Sequence, residues 1–148
     1  MPIRPMLLTI TAVLALSLGA QAQTARTDDA LIQETLLNYL EGGTNGDTTR
    51  LIKAFHPSAS MKLVDFKTGQ FRDVPIADYL NNARKTAGQK SERTTHIVRY
   101  EYAGTAAQAR VEIDYPTFRF IDFFNLLKIN NEWKIVSKIV SRQDTPSK

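Results

Sequence analysis

The C-terminal run from Thr117 to Arg142 leaves a chain like this few ways to fold. Thr117–Ile129 and Trp133–Arg142 are rich in β-branched and aromatic residues, and Asn130-Asn131-Glu132 separates them. This predicts two long strands joined by a tight turn, because such side chains suit a pleated surface and Asn tolerates turn conformations. A three-residue loop sets Ile129 against Trp133, Leu127 against Ile135 and Phe123 against Ile139, so apolar meets apolar across the pair. A two-residue loop would set Trp133 against Lys128 and Lys134 against Leu127, a poorer match. The three-residue register is the expectation.

Alternation then sorts the hairpin into two faces. The odd face carries Ile121, Phe123, Leu127, Ile129, Trp133, Ile135 and Ile139, with Asn125 and Ser137 as one opposed polar pair. It reads as a domain interior with a polar spot. The even face carries Phe120, Asp122, Phe124, Leu126, Val136, Lys138 and Val140, fringed by further charges. An apolar face fringed in this way reads as a subunit interface, so a homodimer through it is expected. Asp122 lies diagonal to Lys138 there, which suits an ion pair or an interface contact better than a catalytic acid.

The 148 residues, 43% hydrophobic and 23% charged, suit one globular domain. Residues 1–22 read as a secretory signal peptide: Arg4, an apolar run from Met6 to Leu18, and the small-x-small site Ala20-Gln21-Ala22. The expected domain is therefore 23–148, ordered over about 27–143, exported to the periplasm or medium and free of the membrane after cleavage. Without cysteine the chain has no disulfide, thiolate nucleophile or Cys-ligated metal. The net charge of +4 is scattered rather than gathered in a stripe, which argues against a nucleic-acid partner. The two histidines, His56 and His96, are isolated, so no metal site is expected.

Along the mature chain, Thr27 or Asp28 can cap a helix with an apolar stripe of Ile32, Leu36, Tyr39 and Leu40, ended by Gly42-Gly43. Asp47 can cap a second, shorter helix, with Leu51, Ile52 and Phe55 inward, that Pro57 stops. Ser60–Asp65 and Phe71–Val74 read as a strand pair around Lys67-Thr68-Gly69. Pro75 can open a third helix carrying Ile76, Tyr79, Leu80 and Ala83 on one side. Thr94–Tyr102 and Ala106–Tyr115 alternate as two more strands, the second with Ala107, Ala109, Val111 and Ile113 on one face. The order α-α-β-β-α-β-β-β-β is that of an α+β domain with helices on one face of an antiparallel sheet.

This order resembles the nuclear transport factor 2-like superfamily, and within it the putative lumazine-binding family. The matching stretches are Tyr39 with Gly46-Asp47, Ala54-Phe55-His56-Pro57-Ser58-Ala59, and above all Asp122–Ile129 with Trp133–Lys138. The resemblance covers about the whole mature chain. It implies a cone-shaped fold, three helices packed on a curved, mostly antiparallel six-stranded sheet. It implies a pocket between helices and sheet and often a dimer through the sheet's outer face, but it fixes no reaction.

Ketosteroid isomerase, an enzyme of this superfamily, uses an Asp base with a Tyr and a protonated Asp as oxyanion hole. By resemblance, Tyr39 falls at its tyrosine, Asn125 at its oxyanion Asp and Leu63 at its base. The expected ligand pocket is therefore Tyr39, Leu63, Asn125 and Ser137, without the carboxylate that enolisation needs. His56 and Asp65 are the candidate substitute bases. Three functions stay open: a non-catalytic binder of a small apolar ligand; an isomerase, cyclase or dehydratase using His56 or Asp65 with Tyr39 and Asn125; and an interaction module whose pocket is filled. No cofactor is expected.

Overall fold

The computed structural model describes residues 26–145, so the signal-peptide reading of residues 1–22 lies outside the described residues. Helix α1, Asp28–Asn45, starts where the Thr27 hydroxyl accepts the Ala30 N–H at 3.3 Å. It buries Ile32, Leu36, Tyr39 and Leu40, as the stripe predicts. It does not stop at Gly42-Gly43. The missing side chains there admit other parts of the chain: a Cβ on Gly42 would lie 2.9 Å from the Leu51 nitrogen, and one on Gly43 would collide with the Arg93 guanidinium. The helix ends instead at Gly46, whose φ of +64° is left-handed.

Helix α2, Thr48–Ala54, is capped by Asp47, whose carboxylate accepts the Arg50 N–H at 3.0 Å. Strand β1 follows at once as Phe55–Val64, five residues earlier than Ser60, so Phe55 is a buried strand residue and not a helical one. Strand β2 is Phe71–Pro75, helix α3 Ile76–Arg84, β3 Thr94–Ala103, β4 Ala106–Asp114, β5 Phe118–Ile129 and β6 Glu132–Asp144. The six strands form one sheet in the order β2-β1-β6-β5-β4-β3, parallel only between β1 and β6. Its helix-facing side holds the core, including Ala107, Ala109, Val111 and Ile113 from β4.

The β5–β6 hairpin corrects the expected register. The loop has two residues, Asn130 and Asn131, at φ +50° and +64°, the positive values that a type I′ hairpin turn requires. Near the turn Ile129 therefore faces Glu132, Leu127 faces Lys134 and Leu126 faces Ile135. A bulge then takes up one extra residue of β6 at Val136, after which Asn125 faces Ser137 and Phe123 faces Ile139, as predicted.

The face assignment reverses with it. Asp122, Phe124, Leu126 and Lys138 are buried in this chain's own interior, and Val140, opposite Asp122, shares their side. They cannot form a subunit interface. Phe123, Asn125, Leu127 and Ile139 are the exposed ones. Only Trp133 and Ile135, ahead of the bulge, keep the interior place expected of the odd face, with Ile121 buried as well. Helix α1 clamps this end of the hairpin: Thr35 donates to the Trp133 carbonyl at 2.9 Å, and Asp28 accepts the Trp133 indole N–H at 2.9 Å.

Candidate functional site

On the concave face of the sheet three side chains meet. Tyr39 comes from the fourth turn of α1, Asp122 from the middle of β5 and Lys138 from β6 just beyond the bulge. The Tyr39 hydroxyl donates to Asp122 Oδ2 at 2.6 Å. Lys138 Nζ lies 3.0 Å from the same oxygen and donates to the Tyr39 hydroxyl. Asp122 is 0% exposed and Lys138 5%. The ammonium also sits 4.6 Å from the Tyr39 ring centre and 5.3 Å from that of Tyr79 on α3. Aromatic faces at such distances attract a cation. Phe55 and Phe124 pack edge-on against Tyr39 at 5.7 and 5.0 Å, so the cluster stands in an apolar wall.

Two hydrogen-bonding capacities stay open. Asp122 Oδ1 is buried and has no partner among the described residues. An ammonium has three N–H groups, and Lys138 finds two oxygen atoms, those of Tyr39 and Asp122 Oδ2. A free acceptor and a free donor therefore lie on one ion pair. Burial, the Asp122 charge and Tyr79 hold the Tyr39 phenol protonated well above its ordinary range.

The concave face continues past this cluster. Val140 faces Asp122 across the hairpin, and Leu63 of β1 faces Val140. Both line an open groove of about 1010 Å³ along β1 and β6 that also takes in Phe66 and Arg142, and Phe71 and Ile139 from the outer side; Tyr39, Asp122 and Lys138 are not among its lining residues. The Phe66 ring lies 5.7 Å from that of Phe120.

Of the expected pocket residues, Tyr39 and Leu63 lie on the concave side. Asn125 and Ser137 do face each other, but on the outer side, where Gln108 Nε2 donates to Asn125 Oδ1 at 3.1 Å. His56 lies apart, in a cleft of about 210 Å³ between α2, α3 and β1, with Nδ1 2.7 Å from the Ser58 hydroxyl. Asp65 holds its own turn. It accepts the Lys67 and Thr68 N–H groups at 3.0 Å each, and these bonds, with Arg72 beside it, draw its pKa down to about 2. A carboxylate that acidic is a poor proton acceptor. The two charged members of the cluster, Asp122 and Lys138, were legible as an ion pair but not as an interior one. Apolar content pointed the other way, because the odd face carries Ile121, Phe123, Leu127, Ile129, Trp133, Ile135 and Ile139 and is the more apolar of the two. Among the described residues, no three His, Cys, Asp or Glu side chains gather as a metal site, and no helix is long and apolar enough to cross a membrane.

Residues 27–141 match the family model described as "Putative lumazine-binding". The chain belongs to this family. The fold is nuclear transport factor 2-like. An NTF2-like protein of unknown function from Shewanella baltica OS155 is 36% identical, with a TM-score of 0.68 over 80% of this chain and 94% of that one. Another, from Methylobacillus flagellatus KT, is 28% identical, with a TM-score of 0.67 over 80% of this chain and 96% of that one. The protein named aldolase FrzH, from Cladobotryum sp., is 27% identical over 119 residues, 78% of this chain and 91% of that protein.

Two outcomes follow for this family member. A buried ion pair repays its desolvation poorly, so its removal as a unit is cheap while its breakage is not. Lys138→Met should cost about 3–5 kcal/mol, and Lys138→Met with Asp122→Leu should restore stability to the wild-type level or above it. Urea unfolding midpoints read both. For Tyr39, the raised pKa means that the unfolded chain ionises near pH 10 while the folded one does not. Its contribution is thus complete below about pH 10 and is lost above it, and the alkaline fall in unfolding free energy should be shallower in Tyr39→Phe.

Proposed function

We propose that this protein removes a proton next to the carbonyl group of a small, largely apolar compound, as an aldol-type or isomerising enzyme does. The observation that carries this reading is the open donor and open acceptor on the buried Lys138–Asp122 pair. A ketone or aldehyde presents their complement: an oxygen that accepts from Lys138 and an α C–H that gives its proton to Asp122 Oδ1. The ammonium and the Tyr39 phenol then stabilise the enolate, in a site where burial strengthens every charge interaction. Leu63, Val140 and the aromatic pair Phe66–Phe120 would hold the apolar remainder of the substrate. The aldolase name carried by the Cladobotryum relative supports this chemistry.

In this assignment Asp122 replaces His56 and Asp65 as base, and Lys138 replaces Asn125 as the partner of Tyr39. The rival reading is a binder without turnover, favoured by how little of Lys138 and Asp122 is exposed. Exchange of α-protons decides between them. In D2O, proton NMR of small aryl and alkyl ketones should show exchange speeded by the wild type. Asp122→Asn, nearly isosteric, should slow it by about a hundredfold or more. Binding without any exchange would leave the non-catalytic reading standing.

For assembly, we infer a homodimer through the outer sheet face, where Phe123, Leu127 and Ile139 are exposed. An apolar surface of this kind is unusual on a monomer. Phe123→Lys should halve the mass seen by light scattering. A wild type that is monomeric at high micromolar concentration would count against the dimer.

A further inference from the structure

Lys138 is a cation in the resting cluster, but the same neighbours equip it as a nucleophile. We propose that Lys138 forms an imine with the substrate, a compact aldehyde or ketone lying along Leu63 and Val140. This rests on the reading of the cluster as a carbonyl site, and adds that the carbonyl carbon becomes bonded to Nζ.

Three observations support the bond. First, Lys138 is the one lysine buried among the described residues, so an imine there is shielded from the bulk water that would hydrolyse it. Second, two oxygens that can exchange protons touch the nitrogen: Asp122 Oδ2 at 3.0 Å, and the Tyr39 hydroxyl, which accepts from Lys138 and donates to Asp122. Desolvated lysines are the ones that serve as Schiff-base nucleophiles, and the carboxylate supplies the acceptor for the proton that must leave. Third, the Tyr39 and Tyr79 rings that hold the ammonium would hold an iminium of the same charge.

The protons balance within the cluster. Lys138 gives one proton to Asp122, and the freed lone pair attacks the carbonyl carbon. The C–N bond forms as the C=O π pair moves to oxygen, which takes a proton from Tyr39. The nitrogen of this carbinolamine then loses a proton to the Tyr39 oxygen, restoring the phenol. Asp122 returns its proton to the hydroxyl, and the C–O bond breaks to release water. Overall, an ammonium and a carbonyl give an iminium and one water, with no change of charge and no oxidant. Asp122, again a carboxylate with Oδ1 free, faces the iminium and can take the acidified α-proton.

The test traps the bond. Wild-type protein is incubated with benzaldehyde, and separately with acetone, in the presence of sodium cyanoborohydride, and the alkylated lysines are located by peptide mass spectrometry. The expected result is one benzyl or isopropyl group on Lys138, formed ahead of every other lysine, with that preference lost in urea-unfolded protein. Asp122→Asn should slow the labelling of Lys138 and leave surface lysines unchanged. Labelling confined to surface lysines overturns the imine. Because the wild type itself is mapped, a variant that fails to fold does not blunt the test. Exchange of α-protons without Lys138 labelling leaves the acid–base reading intact and removes the imine. Labelling without exchange keeps the imine and removes α-proton chemistry. Absence of both removes the two together.

Discussion

Everything distinctive in the interior depends on one extra residue in β6. Strand side chains alternate strictly, so Trp133 and Ile135 on the concave face would send Lys138 outward. The bulge at Val136 resets the parity, and Lys138 turns in to meet Asp122. The upper half of the hairpin is thereby held by α1, while the lower half carries an ion pair, with Val140 and then Leu63 next to it across the sheet. Bulges re-aim side chains next to functional sites elsewhere, and here the re-aimed side chain is the lysine on which the proposed chemistry turns.

The order and nature of the elements were legible because each rests on local signals. Thr27 and Asp47 cap their helices, Pro75 marks the start of α3, and the β4 alternation buries the residues it should. The faces of β5 and β6 were not legible, because they depend on two things that a hydrophobic match cannot see. Asn130 and Asn131 both accept positive φ, which closes a two-residue loop, and a bulge then hides the mismatch that this loop creates. Pairing Phe123 with Ile139 is right under either loop once the bulge is admitted. Correct partners far from the turn therefore gave no warning about faces near it. Gly42-Gly43 misled for a related reason: the residues that a helix excludes when isolated are those it needs when Leu51 and Arg93 press against it.

The site was half legible. Tyr39 lay on an apolar stripe, and its hydroxyl needed a partner. The partner is Asp122, assigned to the wrong face together with the hairpin, while Asn125 and Ser137 took its place in the expected pocket. A buried carboxylate beside a buried ammonium does little for stability, since the cost of drying two ions offsets their attraction. The cluster has further features that stability alone would not select. Asp122 leaves one oxygen unpaired, and an interior chosen only for stability would have paired or removed it.

Access is the remaining constraint on what such a cluster can do. Tyr79 on α3 faces Lys138 from the helix side, and Phe55 and Phe124 close the wall around Tyr39. For the proposed chemistry a substrate would have to enter along β1 and β6, past Leu63 and Val140, from the side of the partly exposed Phe66. A molecule entering there meets apolar and aromatic surface before it meets charge. Binding energy from the apolar remainder is thus available to draw a carbonyl against the ion pair, and to offset the loss of water from both partners. A small polar carbonyl compound has no such remainder to bury. The proposed site would therefore favour compounds whose reactive group is the only polar part that must go deep.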